Sequence, residues 1–292
     1  SKNFYYKNTL IFIKRRLLRT WPAYFFTLLS YIFFYNYFEK EVIYYFLFLQ
    51  NLYYPMLSNT FFAVSWSICV EELFYIIFPF LIFFLIVIFK RIFNQDLKGD
   101  HLVFISCFLI IIILYFVRES IVYNDWGNEL RRVAILRIDA IAFGGLGYLF
   151  ISKLKENNWK NFILIITSLI TLFTVGYYFK QYILFDKFLN PEVSNNVIFY
   201  YIYLFCISII ALSDRVIRVS NIKIKKTLSK LADWTYPLYL MHILVIQLIK
   251  NLNLENLYLN ILLIIIINIA LSYLIRKYIE LPFINTRPKY FR

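Results

Sequence analysis

Two adjacent carboxylates, Glu71 and Glu72, interrupt the otherwise apolar and aromatic run "VSWSICVEELFYIIFPFLIFF", residues 64–84. A carboxylate in such a place can orient or deprotonate a hydroxyl, and a neighbouring carboxylate changes its proton affinity. Successive helical residues point about 100° apart, so the two cannot share one face. One can act on a ligand while the other is tied into the packing. A second apolar run, "VAILRIDAIAFGGLGYLF" (133–150), carries Arg137 and Asp139. An arginine at membrane depth beside carboxylates points to an ion pair or a wider network, which either lines a site or only fixes helix packing. In "RRLLRTWP" (15–22), Arg16 and Arg19 stand three residues apart. They share a face if a helix reaches back that far, and two guanidiniums there would clamp a phosphate group. The alternative is anchoring at a membrane surface.

The elements that position these residues are membrane helices. The chain of 292 residues is 61% hydrophobic and 16% charged, with a mean hydropathy of +0.66; a soluble globular domain has about a quarter of its residues charged. Apolar runs recur along the chain, and crossing a hydrocarbon core about 30 Å thick takes roughly 20 helical residues. Spans are expected at 21–38, 64–89, 101–117, 133–151, 161–179, 197–213, 235–249 and 258–275. The fold class is therefore all-α, a polytopic membrane bundle of about eight transmembrane helices. The segment "VIYYFLFLQNLYYPML" (42–57) is apolar but short and broken by Gln50, Asn51 and Pro55, so it is read as re-entrant or interfacial. No polar block or linker divides the sequence, which predicts a single domain over 1–292.

Charge sets the orientation. Segments on the side that holds both chain ends carry 23 of the 31 Lys and Arg, against 7 on the other side, which makes the first side cytoplasmic. A net charge of +14 is thus expected to serve anchoring, and a nucleic-acid partner, which would need a basic face on a soluble module, is not expected. The segment 214–234 mixes Ile, Val and Leu with six Lys and Arg, the pattern of an interfacial element on anionic lipid. Cys69, Cys107 and Cys206 all fall in apolar runs and form an odd set, a poor disulfide framework. Gly144, Gly145 and Gly147 are expected at close helix contacts, since no strand precedes them to make a nucleotide loop.

"WSICVEELFY" resembles the W-S-L-x-V-E-E-x-F-Y motif of the acyltransferase 3 family, integral membrane O-acyltransferases. "RRLLRTWP" is similar to that family's R-x-x-R-I-x-P segment, "RIDAIAFGGLGYLF" to its Arg-x-Asp helix, "LADWTYPLYLMH" to its S-Y-x-L-Y-L-x-H segment and "YIELPF" to its closing Y-x-x-E-x-P-F. The departures are Thr20 for Ile, Ile68 for Leu, Leu73 for Gln and Thr235 for Ser.

The resemblance implies transfer of an acetyl or other short acyl group from cytoplasmic acyl-CoA to a hydroxyl of a cell-surface carbohydrate or glycolipid, in the bacterial cytoplasmic (inner) membrane, with no metal. It assigns the catalytic positions to Glu71 and Glu72, with Glu71 as the more functional of the two. Arg16 and Arg19 become the donor's phosphate ligands, and Trp66, Ser67, Tyr75, Arg137, Asp139, Tyr239 and His242 a supporting polar network. The family's catalytic histidine lies on a helix before the R-x-x-R segment. The chain starts at that segment, so it is expected to be the N-terminally truncated, eight-helix C-terminal part of such an acyltransferase, or a truncated gene product, in which the absent histidine helix puts the activity of this chain alone in question. Two other readings compete. A transporter or flippase of sugar-linked lipids would also place charges in the membrane, but it predicts inverted repeats and broken helices that the sequence does not show. A catalytically inactive remnant is favoured by the missing histidine helix alone.

Overall fold

The computed structural model describes residues 2–52, 61–94, 97–122, 126–153, 199–200, 202–207 and 221–290, with short helical stretches between 166 and 177. Among the described residues the chain is helical throughout, with no strand. Its elements are α1 (Lys2–Tyr35), α2 (Val42–Phe46), α3 (Ser65–Ile92), α4 (Gly99–Glu119), α5 (Asp139–Lys153), α6 (Ile222–Asn251), α7 (Leu257–Ile275) and α8 (Leu281–Asn285). A 3-10 turn, Ala134–Arg137, precedes α5, and a π turn, Arg276–Glu280, joins α7 to α8.

Among the described residues, four stretches are long and apolar enough to cross a membrane: Ser65–Ile92, Gly99–Glu119, Ala134–Ser152 and Leu257–Asn285. They correspond to four of the eight expected spans. The expected spans at 21–38 and 235–249 lie on α1 and α6, whose other halves are strongly basic; a helix of 34 residues, such as α1, is about 50 Å long and outruns the hydrocarbon. The expected spans at 161–179 and 197–213 lie largely outside the described residues, so the described helices do not by themselves reach eight.

The described residues fall into two compact units. The first takes its residues from 1–50, 57–68 and 221–292. Its core forms because α1 repeats buried residues with helical period, Ala23, Tyr24, Leu28 and Tyr31, against Leu240, Met241, Leu244 and Val245 of α6. Buried tyrosines need hydrogen-bond partners, and these have them: the Tyr24 hydroxyl donates to the Tyr45 carbonyl at 2.8 Å, and the Leu244 N–H donates to the Tyr31 hydroxyl at 3.1 Å. The first of these bonds also fixes the 42–50 segment. With five residues α2 is far too short to cross, the chain then turns at Phe48 with φ 57°, and the Phe48 ring packs 4.5 Å from that of Tyr24.

The second unit takes its residues from 51–56 and 69–220. Here α4 and α5 pack closely because Gly145 carries no side chain: a Cβ there would meet Cys107 Sγ at 3.1 Å, and one at Gly147 would meet Ile207 at 2.9 Å. Gly144 faces no such contact. All three cysteines are free thiols.

Candidate functional site

The motif "WSICVEELFY" lies on the first three turns of α3. In the first unit the Ser67 and Tyr239 hydroxyls are hydrogen bonded at 2.6 Å, and the Val64 carbonyl lies 3.1 Å from the first and 3.3 Å from the second. His242, one turn on from Tyr239, has Nδ1 2.6 Å from the Tyr239 carbonyl. Thus Ser67 and Tyr239, far apart in sequence, meet directly, while His242 bonds within its own helix. Trp66 is partly exposed beside them. Helical spacing of four puts Ser67, Glu71 and Tyr75 along one face of α3, and all three are partly exposed. Glu72 points away from that line and is 4% exposed. The adjacent glutamates therefore occupy different surroundings, one on a part-open face and one buried.

Asp139, in the fourth expected span, and Arg118, on α4, are the most deeply buried charges among the described residues. Asp139, fully buried, accepts from Arg118 Nη2 at 2.6 Å and from the Tyr203 hydroxyl at 3.1 Å. Arg118 is itself fully buried and donates from Nη1 to the Leu136 carbonyl at 2.6 Å. Arg118 falls just past the span expected at 101–117; the structure makes it the last-turn residue of α4, turned inward. Arg137 stands beside this pair with its guanidinium 4.2 Å from the Phe199 ring centroid and 5.5 Å from that of Tyr203, a cation–π seat for a buried cation. Asp139 and Arg137 thus share Tyr203, whose hydroxyl serves one and whose ring serves the other. Arg118, Tyr203 and Phe199 were missed because nothing local in "LYFVRE" or "FYYIYLF" distinguishes an inward charge or ring from an outward one. The one available signal was an arginine directly continuing an unbroken apolar run.

At the start of the first unit, α1 does reach back through Arg16 and Arg19, which places them on one helix face. The C-terminal segment returns to the same place. Arg15 Nη1 donates to the Pro288 carbonyl at 2.7 Å, and its guanidinium lies 5.0 Å from the Tyr290 ring. The π turn ends two residues before Pro282, whose ring lacks an N–H and would clash with the carbonyl four residues back. The wide turn carries Arg276 and Glu280, paired at 2.7 Å, and Arg276 also reaches Asp233 at 2.9 Å. Glu280, the glutamate of the closing "YIELPF", is 1% exposed. Burial, and then the fields of Arg19, Arg15, Arg276 and Arg16, hold the Arg287 guanidinium below the usual arginine range. A groove of about 520 Å³ runs beside Lys14, Trp21, Ile279 and Phe283, and a cleft of about 410 Å³ beside Lys230, Trp234 and Arg276. None of Glu280, Arg276 or Arg287 was singled out from the sequence as a site residue.

The acyltransferase domain model of the acyltransferase 3 family matches the chain over residues 2–277. No curated protein and no solved structure matches it. The match contains the Glu-Glu helix, the Arg-x-Asp span and the start of the π turn in one continuous stretch, and the chain belongs to the acyltransferase 3 family.

Proposed function

We propose that the protein is a membrane O-acyltransferase that takes an acetyl or other short acyl group from acyl-CoA and passes it to a hydroxyl of a cell-surface carbohydrate. Family membership over residues 2–277 is the observation that carries the reaction class. In the transfer, the acceptor oxygen forms an ester bond to the acyl carbonyl carbon, the bond from that carbon to sulfur breaks, and the hydroxyl proton leaves toward a base while coenzyme A departs as thiol. Glu71, on the part-open face with Ser67 and Tyr75, is the group that orients or deprotonates the acceptor hydroxyl. Glu72, buried one position on, belongs to the supporting structure with Arg137 and Asp139. Ser67 and Tyr239 hold the neighbouring helix contact in register, with Trp66 and His242 supporting it. Arg16 and Arg19 bind the donor's phosphates.

The basic residues support a location in the bacterial inner membrane with residues 1–20 and 276–292 cytoplasmic. Residues 222–232 are exposed along their length, with Ile224, Leu228 and Leu231 recurring at helical spacing among Lys223, Lys225, Lys226 and Lys230; this supports an interfacial stretch on the cytoplasmic leaflet. A single cysteine introduced at Lys226 is expected to react with a membrane-impermeant maleimide in inverted vesicles and to stay unlabelled in intact cells. Labelling in intact cells would reverse the orientation.

The donor assignment has its own test. In the full-length protein, Arg16→Ala or Arg19→Ala is expected to raise KM for acyl-CoA by roughly tenfold or more, the scale of one lost charge-assisted contact. Lysine should restore little at a bidentate position. Wild-type donor kinetics in both alanine variants would return these arginines to anchoring.

A further inference from the structure

The positive fields of Arg19, Arg15, Arg276 and Arg16 all bear on Arg287, and Arg276 is itself engaged by Glu280 and Asp233. Arg287 is only partly exposed, yet its Nε and Nη2 are buried with no hydrogen-bond partner among the described residues. Buried guanidinium donors are normally satisfied, and leaving them unmet costs more than a typical hydrogen bond gains. The segment that carries Arg287 is held down: Arg15 donates to the Pro288 carbonyl at 2.7 Å and stacks near Tyr290. The π turn that sets the path of this segment is a backbone irregularity of the kind concentrated at functional sites. A polyanion satisfies all of these conditions together, because several phosphate oxygens can accept from several guanidinium forks at once.

We propose that residues 287–290 form a strap that completes the acyl donor's phosphate site, with Arg287 as a direct phosphate ligand beside Arg16 and Arg19. The inference rests on the donor reading of Arg16 and Arg19 and extends it to a segment that lies beyond the matched family region. Glu280 and Asp233 orient Arg276 at the rim, and the Arg15 contact with Pro288 sets how far the strap closes. An anionic phospholipid headgroup offers the same phosphate chemistry, so the test separates the two sources.

The experiment measures binding of acetyl-CoA and of its 3′-dephospho form to the full-length protein in nanodiscs of phosphatidylcholine alone, and in nanodiscs containing phosphatidylglycerol. Arg287→Gln is expected to weaken acetyl-CoA binding by roughly ten- to a hundredfold in both lipids, with Arg287→Lys recovering only part of the loss. Thermal unfolding of each variant in the absence of donor identifies a folded protein; if Arg287→Gln does not fold, Arg287→Lys carries the comparison, and a wild-type affinity there overturns the proposal. It is also overturned if folded Arg287→Gln binds acetyl-CoA as the wild type does while Arg16→Ala does not, an outcome that leaves the donor reading intact. Loss of phosphatidylglycerol-dependent stabilisation with unchanged acetyl-CoA affinity assigns the strap to a lipid headgroup and overturns it as well. Failure of wild type and Arg16→Ala alike to respond to acetyl-CoA removes the donor reading itself.

Discussion

Glu71→Gln in the full-length protein is expected to lower acyl transfer to the carbohydrate acceptor by about 10²- to 10⁴-fold, the range of a positioned general base, while acyl-CoA affinity stays within about twofold of wild type, the margin expected of a residue outside the phosphate site. Glutamine keeps the size and shape of the side chain and removes its charge and basicity. The part-open face that carries Glu71 lets a substrate approach, whereas Glu72 at 4% exposure is shielded by protein. Glu72→Gln is therefore expected to act on folding, with less protein in the membrane and near-normal activity in what remains. The measurement is transfer of radiolabelled acetyl groups to acceptor, normalised to folded enzyme, beside donor binding to the same preparation. A folded, fully active Glu71→Gln protein would remove the glutamate from the chemistry.

The all-helical class and the positions of four spans were legible because an apolar run of sufficient length has no other solution in hydrocarbon. The family was legible because its motifs are short, ordered and helical, so spacing survives in the sequence. What was not legible is the direction of individual charges. Arg118 follows an apolar run and looks like any residue at a helix end, but the structure turns it inward onto Asp139. Helix phase alone cannot decide this, because both the lipid-facing and the bundle-facing sides of a membrane helix are apolar. The strap was hidden for a different reason: contact between Arg15 and Pro288 joins residues 273 apart, and no local pattern encodes a separation of that size. Pro282 was visible in "YIELPF", but the π turn it accompanies lies against α1, a contact no local pattern encodes.

Removing one partner of the Arg118–Asp139 pair is expected to cost about 3–5 kcal/mol, because the remaining charge is left in a medium that cannot solvate it. Both side chains are fully buried, so solvent screening offers little relief. Arg118→Met leaves Asp139 with the Tyr203 hydroxyl as its donor, and it also deprives the Leu136 carbonyl of the bond at 2.6 Å that now satisfies it. Asp139→Asn keeps a hydrogen-bonding side chain but no longer neutralises Arg118, whose guanidinium also lies over the Phe199 and Tyr200 rings. The double variant Arg118→Met, Asp139→Leu removes both charges and is expected to recover most of the stability lost by either single change. Thermal aggregation of the detergent-solubilised protein, read for wild type, both single variants and the double variant, completes the cycle. Equal losses in all three variants would mean that packing around the side chains, and not the charge pair, holds α4 to α5. Because Tyr203 serves both Asp139 and Arg137, Tyr203→Phe separates the hydroxyl from the ring. Its expected cost is about 1.5–3 kcal/mol, the scale of one lost hydrogen bond to a charged group, since the ring under Arg137 is retained.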